Sequence, residues 1–233
     1  MQPTHPQDPA VTAAAEDERN PASRTRVRLK PGERRVHILQ TLASMLESPK
    51  SEKITTAALA ARLDVSEAAL YRHFASKAQM FEGLIEFIEE TFFGLVNQIA
   101  ANEPNGVLQA RSIALMLLNF SAKNPGMTRV LTGEALVGEH ERLAERVNQM
   151  LERIEASIKQ SLRVALLEAS ARADAAGAAA PPPSVPLPDD YDPALRASLV
   201  VSYVLGRWHR YAKSGFTKAP GEHADAQLRL ILQ

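Results

Sequence analysis

Residues 65 to 77 read VSEAALYRHFASK, a stretch that changes from small side chains to aromatic and basic ones. A helix that only packs against a core shows an apolar stripe with charged residues on its opposite face. This stretch instead presents Ser66, then Ala68 and Ala69, and then Tyr71, Arg72, His73 and Lys77. The small and the polar residues together therefore require a function beyond packing.

The composition sets the broad class of the protein. The chain has 233 residues, of which 45% are hydrophobic and 23% charged, as in ordinary soluble globular proteins. It has no cysteine, which excludes disulfides and thiolate metal sites. The longest apolar runs are too short to cross a bilayer, and the N-terminus lacks the pattern of a secretory signal. We therefore expect a cytoplasmic protein that requires no membrane.

The sequence offers no pattern typical of an enzyme. A Gly-rich phosphate loop, an HExxH motif and a GxSxG motif are all absent. The histidines and carboxylates are scattered, and the pair at 139 and 140 is the nearest approach to a cluster. We predict that the protein is not an enzyme and has no metal and no cofactor.

The zero net charge conceals a separation of charges along the chain. Residues 24–77 contain eleven Lys and Arg against five Asp and Glu, a net charge of +6. The segments on either side, 1–23 and 78–233, carry −3 each. A basic block of this kind favours a polyanionic partner, and the alternative is a solvated basic face without a partner.

Helical periodicity recurs along the chain and sustained strand-like alternation does not, so we predict an all-α fold. The predicted units are a disordered N-terminal arm, a helix-turn-helix head, a helical body, a Pro/Ala linker and a pair of C-terminal dimerisation helices. They span residues 1–30, 31–78, 79–172, 173–190 and 191–233, respectively.

The head explains the composition of the first stretch. Its second and third helices are joined by a few residues, which is the helix-turn-helix arrangement, and the third helix then enters the DNA major groove by its N-terminal end. Small residues at that end allow close approach to base edges, while capped amides and polar side chains contact phosphates. The predicted DNA-binding residues are Thr55, Thr56, Ser66, Ala68, Ala69, Tyr71, Arg72, His73 and Lys77.

Each of these residues also has an ordinary structural interpretation. Tyr71 alone is most often a half-buried packing residue, and His73 alone is usually a surface histidine. Glu67 argues mildly against DNA binding, because a carboxylate repels phosphate, although it suits a helix N-terminus and can accept from cytosine N4. The DNA-binding prediction therefore rests on the whole group and on its position.

The segment ITTAALAARLDVSEAALYRHFASKAQMFEGLIEF, residues 54–87, resembles the N-terminal domain of TetR-family regulators. The family pattern at the end of the recognition helix corresponds to Tyr71, His73, Phe74 and Lys77. The resemblance implies a three-helix DNA-binding head, a connecting fourth helix and an all-α body. One departure is Asp64, which stands where the family usually has a left-handed glycine and which tolerates that conformation at modest cost.

The likeness extends to the nucleoid-occlusion factors within this family, through KNPGMTRVLTGEAL and RLAERVNQMLERIEASIKQSLR. It implies a nucleoid-associated protein that binds chromosomal sites as a dimer and inhibits ring assembly by the division protein FtsZ. The FtsZ-binding face it implies contains Phe87, Met116, Asn119, Lys123 and Asn124.

The alternative is a transcriptional repressor of the same fold that responds to a small ligand. The candidates for its ligand pocket are sparse, so we expect no small-molecule effector. For the homodimer, the family's last two helices supply the interface, which implies Leu195, Leu199, Tyr203 and Trp208 here. A two-fold dimer matches an inverted-repeat site in double-stranded DNA.

Overall fold

The computed structural model describes residues 31–48, 53–175, 187–188 and 190–233, and every regular element in these ranges is helical. The all-α prediction is therefore confirmed. The predicted N-terminal arm, residues 1–30, lies outside the described residues. The helices are α1 (Pro31–Leu46), α2 (Thr56–Arg62), α3 (Glu67–Tyr71), α4 (Lys77–Asn102), α5 (Gly106–Lys123), α6 (Pro125–Leu131), α7 (Glu141–Ala175), α8 (Pro193–Lys213) and α9 (Ala224–Leu232), with a 3-10 turn at Glu134–Leu136.

The first three helices form a small head around a shared apolar core. Leu42 of α1, Leu59 of α2, Leu70 of α3 and the following Phe74 are each at most 1% exposed. Asp64, in the four-residue connection between α2 and α3, has a φ of 53°. The left-handed conformation expected at this turn is thus present, and it lets the chain change direction within a short link.

The long helix α4 connects the head to the body. Its N-cap is Ser76, whose hydroxyl oxygen accepts the backbone N–H of Gln79 at 3.1 Å. The Gln79 side chain accepts the N–H of Ala75 in return, at 2.5 Å. The two bonds form a capping box whose return bond goes to the N–H of the residue before the N-cap. Buried side chains then follow from Met80 to Phe92, so one face of α4 serves both cores.

The body is built around α5, α7 and α8. Helix α7 contributes an apolar stripe of fully buried side chains that includes Leu143, Met150, Ile154 and Ile158. Its spacing of three to four residues is that of an amphipathic helix. The helix continues to Ala175, so it includes the first three residues of the predicted linker.

The C-terminal helices share the core of the body. Tyr191, just before α8, donates its hydroxyl to the carbonyl of Leu232 at the end of α9, at 3.2 Å. Burial raises the pKa of Tyr191, against a smaller opposing effect of Arg196, so this hydroxyl stays protonated. Because α8 also packs on α5 and α7, the predicted C-terminal unit is continuous with the body's core.

The head is also tied to the body through α6. Gly126 lies so close to α1 that a Cβ atom there would come within 2.0 Å of the carbonyl oxygen of Ala43. One turn later, the buried Arg129 donates from Nη1 to the carbonyl oxygens of Leu46 and Ser48, at 3.1 and 2.6 Å. The Leu46 carbonyl is one that the end of α1 leaves without a helical partner, and Ser48 lies two residues beyond that end. Helix α6 thus caps α1 and fixes the orientation of the head.

The close approach at Gly126 gives a test of this packing. Gly126→Ala is expected to lower the free energy of unfolding by about 3 kcal/mol, because the methyl group meets backbone that cannot move aside easily. Urea unfolding followed by circular dichroism measures the change.

Gly94→Ala in α4 is the matched control, since nothing lies within 4 Å of its Cβ position. Removing a glycine from an exposed helix interior should stabilise the protein by about 0.8 kcal/mol. Equal effects of the two substitutions would contradict the proposed packing of α6 on α1.

Candidate nucleic-acid interface

The N-terminal tip of α3 is exposed while its base is buried. Ser66 is the N-cap, and its side-chain oxygen accepts the backbone N–H of Ala69 at 3.2 Å. Ala68 is exposed and Ala69 is half-buried, whereas Leu70 is fully buried. The helix therefore presents small side chains and its first amide groups to solvent, a surface that can approach a DNA groove closely.

A hydrogen-bonded group links α2 to α3 beside this tip. The Thr56 hydroxyl donates to a carboxylate oxygen of Glu67 at 2.6 Å, and the Tyr71 hydroxyl lies 3.5 Å from the Thr56 oxygen. Glu67 is itself exposed, and its carboxylate accepts a hydrogen bond from within the head. Tyr71 is 46% exposed, so about half of its surface remains available to a ligand.

Thr55 has a structural role at the start of α2. Its side-chain oxygen accepts the N–H of Ala58 at 3.1 Å, which makes it the N-cap of that helix. A threonine hydroxyl that accepts one hydrogen bond can still donate its own proton. Thr55 therefore remains available to a phosphate, but its substitution would also remove a cap.

Sequence reasoning missed Arg35, which it placed in the basic stretch leading into α1. The Arg35 guanidinium lies 4.1 Å from the centre of the Phe74 ring and donates to the His73 carbonyl at 2.7 Å. It therefore holds the segment that follows α3 against α1. Of the two neighbouring predicted residues, Arg72 is exposed and His73 is half-buried.

Lys77 departs from the expectation of a free phosphate donor. Its ammonium group lies 2.5 Å from the Glu139 carboxylate, and its side chain is 21% exposed. The partner comes from the loop before α7, which no local pattern around residue 77 indicates. Lys77 is therefore placed at the edge of the head, but it is already ion-paired.

The residues of the predicted partner face lie on the adjacent helices α4 and α5. Phe87 on α4 is 48% exposed, so its ring lies at the surface rather than in the core. Asn119 and Lys123 are exposed, one turn apart on α5, and Met116 is half-buried on the same face. Asn124 is half-buried and donates its side-chain amide to the Phe120 carbonyl at 2.8 Å.

The predicted dimer residues separate into exposed and buried groups. Leu195 and Leu199 on α8 are 57% and 47% exposed, and Leu230 on α9, which sequence reasoning missed, is 70% exposed. The half-buried Tyr203 donates to the Gln227 side chain at 2.7 Å. Burial raises the pKa of Tyr203, with Arg207 opposing more weakly, so the donor is retained at neutral pH.

The prediction of Trp208 as a dimer contact is wrong. Its side chain is fully buried within the protomer, where the ring nitrogen donates to the Leu117 carbonyl at 3.4 Å. Its ring stacks on Phe92 at a centroid distance of 6.3 Å, and Phe92 meets the edge of Phe120 at 4.7 Å. Trp208 therefore has no surface left to offer a second copy.

Two further observations concern the described part of the chain. None of its helices has the length and apolar character that crossing a bilayer requires. Its His, Asp and Glu side chains form no group of three or more suited to a metal ion.

Two segments of the chain, one in the head and one in the body, match models of known protein families. Residues 52–84 match the model for bacterial regulatory proteins of the tetR family. Residues 105–179 match the model for the SlmA-like tetracyclin repressor-like C-terminal domain.

Solved structures share the fold at low sequence identity. The TetR-family transcriptional regulator PfmR from Thermus thermophilus has a TM-score of 0.60 and 18% identity, covering 84% of this chain and 96% of its own. The regulator FadR from Bacillus subtilis, solved with stearoyl-CoA, has a TM-score of 0.61 and 10% identity, covering 85% and 97%.

Curated relatives are much closer in sequence. The nucleoid occlusion factor SlmA of Idiomarina loihiensis is 45% identical over 200 residues, which cover 86% of this chain and 94% of the relative. SlmA of Alteromonas mediterranea is 43% identical over 199 residues, with coverages of 85% and 94%. The chain therefore belongs to the SlmA family of nucleoid occlusion factors, within the TetR-type regulators.

Proposed function

We propose that this protein is a nucleoid occlusion factor that binds double-stranded DNA as a homodimer and, in that state, inhibits FtsZ ring assembly over the nucleoid. The observation that carries the proposal is the exposed, capped tip of α3 in a chain that matches SlmA relatives over 94% of their length. The proposed location is the cytoplasm, on the nucleoid.

The DNA-binding step follows from the geometry of the head. The N-terminal end of α3 enters the major groove, where Ala68 and Ala69 let the helix backbone approach base edges and thymine methyl groups. The hydroxyls of Thr55 and Tyr71 and the Ser66 cap region lie around this tip and contact the phosphates on either side. The proposed binding set is the one predicted from the sequence, with Lys77 available only once it leaves Glu139.

The distribution of charge along the chain also supports DNA binding through the N-terminal part of the protein. The net charge of +6 lies in residues 24–77, with +4 on residues 24–30 of the arm and +2 on residues 31–77 of the head, so this N-terminal part of the chain rather than the body attracts the phosphate backbone. A dimer held by the exposed Leu195 and Leu199 of α8, with Leu230 of α9, would present two heads to two half-sites. Inverted-repeat DNA is the matching ligand.

We propose that FtsZ binds the face formed by Phe87 of α4, by Met116, Asn119 and Lys123 of α5, and by Asn124 just after α5. An aromatic ring that is 48% exposed is typical of an interface anchor, and Met116 on the neighbouring helix is half-buried. Lys123 and Asn119 provide a polar margin around that anchor. The face lies on α4, the helix that also carries Lys77 at its head end, so a DNA-bound protomer can present it next to the chromosome.

A ligand-responsive repressor is the less favoured alternative. The FadR neighbour, which shares the fold, was solved in complex with stearoyl-CoA. In this chain, the aromatic side chains of Phe92, Phe120 and Trp208 pack together between α4, α5 and α8. We therefore propose that no small-molecule effector occupies this part of the body.

Ala68→Leu tests the groove-binding role of α3. The residue is exposed, so the larger side chain fits the free protein but prevents the helix from reaching base edges. Affinity for a duplex selected from random DNA is expected to fall about 10- to 100-fold, the equivalent of one or two lost base contacts. Fluorescence anisotropy with a labelled duplex measures it.

The control is Ala100→Leu, the same change at an exposed position of α4 outside the head. Its affinity should match that of the wild type. Wild-type binding by Ala68→Leu would show that the α3 tip does not enter the groove.

Phe87→Ala tests the partner face. Since an exposed anchor residue contributes about 2 kcal/mol to an interface, the protein concentration that halves FtsZ pelleting should rise about 30-fold. The measurement is sedimentation of FtsZ polymers in the presence of the selected duplex.

DNA binding by Phe87→Ala should remain unchanged, because the residue lies outside the DNA-binding head. Leu167→Ala, another exposed apolar residue that is 70% exposed on α7, serves as the matched control and should keep full activity. If the Phe87→Ala protein inhibits FtsZ as strongly as the wild type does, the proposed face is not the FtsZ-binding site.

A further inference from the structure

The carboxylate of Glu139 forms ion pairs with two lysines of the DNA-binding head. Lys77 Nζ lies 2.5 Å from its Oε1 atom, and Lys53 Nζ lies 3.9 Å from the same oxygen. Lys53 also donates to the carbonyl of Gly138 at 3.2 Å. The Glu139 side chain is 10% exposed, whereas that of Lys53 is 64% exposed, so Lys77 is its principal partner.

The three residues belong to different parts of the protein. Glu139 lies between the 3-10 turn and α7, in the body. Lys53 precedes α2 and Lys77 is the first residue of α4, so both belong to the basic segment of the head. The Lys77 ammonium also lies 5.7 Å from the centre of the Phe81 ring, one turn further along α4. The contact therefore spans the junction of head and body.

A carboxylate and a phosphate diester are both oxyanions, and a lysine ammonium pairs with either as a point charge. Lys77 lies six residues after Tyr71, beside the surface through which the head is proposed to bind DNA. We infer that Glu139 competes with a DNA phosphate for Lys77, holding the lysine in the free protein and releasing it when the head binds. The inference rests on the proposed DNA-binding function and adds a regulatory residue to it.

The exchange has a specific electrostatic signature. A lysine that binds a phosphate releases a counterion from the DNA, which steepens the dependence of affinity on salt. In the wild type, Glu139 loses Lys77 at the same moment, and its uncovered negative charge beside the DNA offsets the effect of the lysine. Glu139 therefore lowers both the DNA affinity and its salt dependence, whereas a purely structural ion pair would change neither in this way.

Glu139→Gln is the test variant, because the amide oxygen still accepts a hydrogen bond from Lys77 while the competing charge is gone. Its affinity for a duplex that the wild type selects from random DNA should rise about fivefold, the value of a modest ion pair. A plot of log affinity against log salt should steepen by about 0.9, the contribution of one phosphate contact. Fluorescence anisotropy across a salt series gives both values.

Glu141→Gln is the matched control, since it removes one negative charge two residues away at an exposed position of α7. It reports the effect of net charge alone. In a Lys77→Gln background, Glu139→Gln should add no more affinity than Glu141→Gln does, because the competitor then has no lysine to release. Unfolding midpoints of all variants show that each is folded at the assay temperature.

Three results would overturn the inference. Weaker DNA binding by Glu139→Gln would mean that Glu139 positions Lys77 for DNA, and a gain equal to that of Glu141→Gln would mean that only net charge matters. If Glu139→Gln still raises the DNA affinity beyond Glu141→Gln in the Lys77→Gln background, Glu139 acts on a group other than Lys77. If the wild type itself prefers no duplex, the proposed function fails and this inference with it; in the first three cases, DNA binding stands.

Discussion

The placement of α3 on the head core is the interaction on which the rest of the molecule depends. The helix has only five residues, far too few to be stable in isolation. It persists because Leu70 and Phe74 are buried beneath it, Ser66 caps its first turn, and Arg35 packs on the Phe74 ring. The apolar contacts lie at the base of the helix and the Ser66 cap uses only its own first turn, which leaves Ala68 at the tip free to meet another molecule.

The same head is held in one orientation by the body. Helix α4 is continuous through both cores, α6 closes on α1 at Gly126, and Arg129 satisfies the carbonyls at the end of α1. Because these contacts are buried, the head does not hang from a flexible linker. A dimer of such protomers would hold its two recognition helices at a defined separation, which is what an inverted-repeat site requires.

The parts of this account that depend on local sequence were predictable. The cap at Ser66, the left-handed Asp64 and the amphipathic stripe of α7 follow from residue type and spacing, and the structure has all three. The contacts that were missed join residues far apart in the chain. Lys77 pairs with Glu139, 62 positions away, and Trp208 bonds to Leu117, 91 positions away. No periodicity within one helix reports which side of it another helix will cover, so Trp208 looked like an interface residue and Lys77 like a free cation.

The most direct test of the central claim is protection of guanine N7, a major-groove atom, from methylation in a duplex selected by the protein. If the tips of two α3 helices enter the major groove of an inverted repeat, protected guanines will form two groups whose centres lie about one helical turn, or a multiple of it, apart. Unprotected N7 atoms throughout the bound site, or a single protected group, would contradict the account.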